Sequence, residues 1–147
     1  VLRCDGLTLN MFREDRRNGR VGGTTAVFDQ TWDALYFSKE VLPFTYNTYA
    51  DDEQTPVYHH VGAYAYRPTS LARYIRWPER SLERLEGLEQ LRLLEHGVKI
   101  RCVLVDAKGR VFWELNNPVD VARIEKVLQA KGWPERPVLG NTALQQL

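Results

Sequence analysis

The chain has 147 residues, a net charge of +1, and 44% hydrophobic, 11% aromatic and 27% charged residues, which is the size and composition of one folded domain and not of a disordered chain. Twenty Lys and Arg against nineteen Asp and Glu give no field strong enough to gather nucleic acid or an anionic membrane, so any anionic ligand must be held by locally placed cations. No window approaches the roughly 18 uninterrupted apolar residues of a membrane span, and Cys4 and Cys102 are too few for a disulfide framework, which points to a reduced, cytoplasmic setting.

Residues 1–23 start without Met and carry a polar run from Arg13 to Asn18 ahead of Gly19, Gly22 and Gly23. They are expected to form a loosely ordered leading segment, and the chain is read as a piece of a longer one. Thr24–Phe28 and Ala34–Ser38 are β-type runs at hairpin spacing. Val41–Pro56, with its prolines and the acidic Asp51-Asp52-Glu53, reads as a long exposed loop with a solvated tip. Tyr58–Arg67 reads as a strand broken in its alternation by Gly62, and Pro68–Trp77 as a short helix. Ser81 is expected to cap a longer helix running to His96, with Gly97 as its stop. Lys99–Val105 and Val111–Leu115 are expected to pair about the turn Asp106-Ala107-Lys108-Gly109. Asn117 then caps a helix whose apolar face is Val121, Ile124, Val127 and Leu128, up to Gly132, and 133–147 is an extended tail. Interleaved strands and helices predict a layered α/β or α+β arrangement, with 1–147 as a single domain.

The common phosphate-loop, dinucleotide, zinc-protease and paired-cysteine signatures are absent from the sequence. Polar residues on apolar elements stand out instead. On one continuous helix from Leu82, Leu85 falls at about 300°, Glu89 at about 340° and Leu93 at about 20°, so Glu89 lies within a leucine face. A carboxylate there needs a partner, and both a pair with Arg92 and a ligand role meet that need. Gln90 is ordinary surface on the same wheel. Leu88, Leu91 and Leu94 lie away from the Leu82, Leu85 and Leu93 face, and a second subunit is expected to cover them, unless a missing part of the chain does so. In Tyr58–Arg67, a period of two puts His60, Gly62, Tyr64 and Tyr66 on one face. That face reads either as a ligand site cleared by Gly62 or as half-buried aromatics with satisfied hydroxyls. His59 and His96 read as ordinary exposed histidines.

His60-Val61-Gly62-Ala63-Tyr64-Ala65-Tyr66-Arg67, followed by Leu82-Glu83, Glu86 and Leu88-Glu89-Gln90-Leu91-Arg92, resembles the H-I-G-I-Y-A-Y-R and L-E-x-x-E-x-L-E-Q-L-R segments of the 3-deoxy-manno-octulosonate cytidylyltransferases. Ala34-Leu35-Tyr36-Phe37-Ser38-Lys39 with Pro43 resembles A-L-Y-F-S-R-x-x-I-P, and Asn116-Asn117-Pro118-Val119-Asp120 resembles V-D-T-P-E-D. The resemblance runs from about Thr24 to Leu128 in the family's order. It implies the α/β nucleotidyltransferase fold, a nucleotide-diphospho-sugar transferase-like layered sheet with helices. The N-terminal nucleotide-binding half, with its I-P-A-R segment, is absent.

The resemblance further implies transfer of CMP from CTP to the sugar acid with release of pyrophosphate, Mg²⁺ as cofactor, a homodimer, and a cytoplasmic place in lipopolysaccharide synthesis. By motif match, His60 and Tyr64 bind the sugar acid, Glu89 and Gln90 hold its hydroxyls, Lys39 stands at a family arginine, and Asn116 stands at a metal-binding aspartate. A lysine loses the bidentate geometry of arginine, and an amide is a poorer ligand for a hard cation than a carboxylate. Because the half that cradles CTP is missing, the chain by itself is expected not to turn over CTP. The competing expectation is a non-catalytic binding or dimerisation module derived from the same family.

Overall fold

The computed structural model describes residues 1–108 and 112–131. Four short strands, β1 (Leu2–Asp5), β2 (Thr25–Phe28), β3 (Ala34–Ser38) and β4 (Gln54–His59), form one antiparallel sheet in the order β1-β4-β2-β3. The helices are α1 (Gly6–Arg17), α2 (Pro68–Tyr74), α3 (Ser81–Glu86), α4 (Leu91–Glu95) and α5 (Pro118–Lys131). The expected hairpin is β2–β3, with Ala26 opposite Phe37 and a register shift between Val27 and Phe28. Successive residues of a strand face opposite ways, so the sheet buries both sides. Ala26, Ala34 and Phe37 pack with Leu88, Leu91 and Cys102 on one face, while Cys4 and Val57 pack with Leu9 and Phe12 of α1 on the other. The layered mixture of sheet and helices agrees with the fold class read from the sequence.

Several local expectations are overturned. The leading segment is ordered: Asp5 Oδ1 accepts the backbone N–H of Thr8 at 2.8 Å, which caps α1, and Gly6, Leu9, Phe12 and Asp15 recur at helical spacing as its buried face. The run Arg13–Asn18 is polar because most of it is helix surface. Its arginines are tied to the following loop, Arg16 to Glu40 and Arg13 to the carbonyls of Thr45 and Asn47. The strand expected over Tyr58–Arg67 begins earlier, at Gln54, and ends at His59. Gly62 adopts φ +76°, a left-handed conformation that ends any extended run.

The single helix expected over 81–96 is two, because Gly87 at φ 61° and ψ 41° terminates α3 and the chain restarts as α4 four residues later. The helical phase is lost at that break. Leu85 is 82% exposed, while Leu88, Leu91 and Leu93 are buried. Of the surplus leucines that called for a second subunit, Leu88 and Leu91 are thus covered by the chain itself, and Leu94 is half-buried against the same core. Ser81 is the first residue of α3 and no side chain caps that helix. In place of a strand, Lys99–Val105 makes one bridge, Arg101 to Asp33, with Val105 donating to the Val1 carbonyl at 2.9 Å. Residues 112–115 are irregular. Gly109, Val111, Gly132 and the 133–147 tail lie outside the described residues.

Candidate functional site

The sheet carries the chain to His60, and the turn at Gly62 folds it back on itself. Tyr64 Oη thereby lies 2.6 Å from His60 Nε2, with Tyr66 stacked on Tyr64 at 5.8 Å and Phe37 against the His60 ring at 5.4 Å. These residues line a cavity of about 860 Å³ that also takes in Arg67, Asp33, Lys99 and Arg101. Burial lowers the pKa of His60, and burial, with Tyr66 and Glu89 adding to it, raises that of Tyr64. At neutral pH the pair is therefore an uncharged imidazole and a protonated phenol sharing one hydrogen bond. Two neutral groups that each both donate and accept suit a hydroxyl-rich ligand.

The remaining residues singled out by motif are placed unevenly. Glu89 is exposed and not buried, because the break at Gly87 rotates it out of the leucine face. It is not paired with Arg92, yet its charge acts on both His60 and Tyr64. Gln90, expected on the surface, is 1% exposed, and its Nε2 has no partner among the described residues. Lys39 donates its backbone N–H to Glu86 Oε2 at 3.0 Å, and its ammonium lies over Gly87. It is not among the residues lining the cavity. Asn116 is exposed, and its amide donates to Glu114 Oε2 at 3.2 Å.

The family model described as "Cytidylyltransferase" matches residues 10–100. The chain belongs to the cytidylyltransferase family. Relatives named 3-deoxy-manno-octulosonate cytidylyltransferase include one from Maricaulis maris, 43% identical over 82% of this chain and 45% of its own length. Another, from Chlamydia pneumoniae, is 41% identical over 69% of this chain and 37% of its own length. A solved CMP:2-keto-3-deoxy-manno-octonic acid synthetase complexed with CTP superposes with a TM-score of 0.59 at 28% identity, over 88% of this chain and 47% of that one. The family read from the motifs is thereby borne out, and the chain spans less than half the length of these relatives.

Within this family reading, the donors around Asn116 do not fit Mg²⁺. Asp120 is the nearest carboxylate in the motif, but it is fully buried and already accepts from Trp113 Nε1 at 2.8 Å and from the backbone of Asn116 and Asn117 at 3.1 and 2.7 Å, while Arg123 donates to it at 3.0 Å. That leaves one carboxylate, Glu114, bonded to a neutral amide, and no group of three metal-ligating side chains occurs among the described residues.

Sequence reasoning missed two buried ion-pair groups and a buried histidine. Glu83, and not Glu89, is the buried carboxylate of this region. It accepts from Arg92 Nε and Nη2, at 2.6 and 2.5 Å, while Nη1 donates to the Trp77 carbonyl at 3.2 Å, and Arg92 also lies 4.4 Å over the Tyr74 ring. Asp15, fully buried, joins α1 to α5 through Arg123, with Arg20 closing the network. Against burial that would raise it, hydrogen bonds from Arg123 and Arg20 hold the Asp15 carboxyl below its ordinary range. His59 is 1% exposed, lies 4.9 Å from both the Phe12 and Phe112 rings, and has neither ring nitrogen partnered among the described residues. His96, read as ordinary surface, is half-buried and stacks on Trp77 at 4.3 Å. Only His59 left a signal in the sequence: extending alternation back from Tyr58 puts Thr55, Val57 and His59 on one inward face.

Proposed function

We propose that this chain is the sugar-acid side of a cytidylyltransferase that transfers CMP from CTP to 3-deoxy-manno-octulosonate or a related acidic acceptor, releasing pyrophosphate. The observation that carries the reading is the His60–Tyr64 pair at 2.6 Å in the wall of a cavity large enough for a sugar acid. In this reading the bond within the pair uses one position of each group, and the one donor and one acceptor that remain between them hold sugar hydroxyls, so the anomeric hydroxyl is presented in a fixed direction to the nucleotide. Glu89 and Gln90 stay with the proposal as holders of further hydroxyls through their motif positions, since neither is among the residues lining the cavity.

Lys39 stays with the proposal through its motif position alone, and no step runs through Mg²⁺, since Asn116 and Glu114 do not fit it. The homodimer and the cytoplasmic setting rest on the family. The surface that a second copy would find is the exposed apolar run Val103, Leu104 and Val105.

Two measurements test the reading. Calorimetric titration of the chain with 3-deoxy-manno-octulosonate is expected to give saturable binding that weakens about tenfold in Tyr64→Phe, the cost of one lost hydrogen bond in a partly buried site. With CTP, Mg²⁺ and the sugar acid, the chain alone is expected to release no pyrophosphate above a blank. Release would refute that expectation, and absence of sugar-acid binding would refute the substrate reading.

A further inference from the structure

The cavity beside His60 and Tyr64 carries more positive charge than the motif residues supply. Lys99 Nζ lies 2.8 Å from Asp33 Oδ2, and Arg101 Nε lies 2.9 Å from Asp33 Oδ1. Asp33 is 7% exposed just ahead of β3, whereas the Lys99 and Arg101 side chains are 79% and 63% exposed. One carboxylate thus holds two cations at the cavity wall, and the Arg101 terminal nitrogens have no hydrogen-bond partner among the described residues. The charged residues lining the cavity are Asp33, Arg67, Lys99 and Arg101, an excess of two positive charges. Lys39, at the family's arginine position, is not among them.

We infer that Lys99 and Arg101 receive the carboxylate of the acidic ligand, with Asp33 keeping both cations in place while the cavity is empty. The inference rests on the sugar-acid reading above and specifies where the acid group sits within it. An incoming carboxylate meets the free Arg101 guanidinium edge and the remaining Lys99 protons without first breaking the Asp33 pairs, and it gains from two charges already fixed in direction. The bare structural role, fastening the β2–β3 turn to residues 99–102, is already served by the backbone. Ala34 donates to the Ile100 carbonyl at 2.8 Å, and Cys102 to the Trp32 carbonyl at 2.7 Å.

The experiment is calorimetric titration of the chain with 3-deoxy-manno-octulosonate and with its neutral methyl ester. The free acid is expected to bind more tightly, and Lys99→Gln and Arg101→Gln are each expected to weaken it about threefold to fivefold, as exposed charge pairs do, with little effect on the ester. Asp33→Asn is expected to tighten the acid about threefold by removing the competing carboxylate, which a purely structural role would not do. Unchanged denaturation midpoints in Lys99→Gln and Arg101→Gln separate binding from folding. If these two variants leave the preference for the acid intact while Lys39→Gln abolishes it, the inference is wrong and the carboxylate sits at Lys39. If acid and ester bind alike, the inference is wrong and the cavity reading survives. If neither binds, or Tyr64→Phe changes nothing, the cavity reading has failed and this one with it.

Discussion

His59 offers a quantitative test of the packing. It lies between Phe12 and Phe112 with no partner for either nitrogen among the described residues, and burial lowers its pKa from 6.5 to about 4. The folded chain therefore binds fewer protons than the unfolded chain between these values, and stability is full above pH 6.5 and lost as pH falls toward 4. At about 1.4 kcal/mol per pKa unit, the loss from this one group is roughly 2 kcal/mol by pH 5 and about 3 kcal/mol by pH 4, a large share of the 5–15 kcal/mol typical of a domain. Urea denaturation of the chain and of His59→Leu at pH 7.5, 6 and 5 measures it. Leu has a similar volume and removes two unpartnered nitrogens, so the variant is expected to match or exceed the parent by about 1 kcal/mol at pH 7.5. Its midpoint should fall less on acidification, and the two curves should diverge by about 2 kcal/mol at pH 5. His60, whose pKa is also lowered, titrates in both proteins and cancels in the difference. Parallel curves from pH 7.5 to 5 would mean that His59 is hydrated or partnered in solution, and the buried, neutral imidazole would have to be abandoned.

Two further outcomes follow from the break between α3 and α4. Gly87→Ala forces a side chain into φ 61° beside the Lys39 ammonium and is expected to cost about 1–2 kcal/mol in urea melts; no loss would mean that the left-handed turn is not maintained. Arg92→Ala leaves the Glu83 carboxylate buried without its partner and is expected to cost about 3 kcal/mol, most of it recovered in the double variant Glu83→Leu/Arg92→Met; a double variant as unstable as the single one would show that the pair is not the cause.

Some features follow from sequence alone because they rest on neighbours within a few residues. The β2–β3 hairpin is legible in two β-branched and aromatic runs five residues apart, and α5 in the Asn117–Pro118 start. The His60 and Tyr64 motif is legible as a family mark, although not as geometry: the strand period that grouped these residues does not exist, and their contact comes from the turn at Gly62. The tertiary structure decided matters that depend on phase and distance. One left-handed residue, Gly87, resets the helical wheel, so Glu89 comes out to solvent while Gln90 and Leu91 go in. Arg123, which ties Asp15 to α5, lies 108 residues from it, and the partners of Asp33 lie 66 to 68 residues away in the chain. No local pattern reports such separations, because a charged residue on a helix or turn reads as solvated until something distant closes over it.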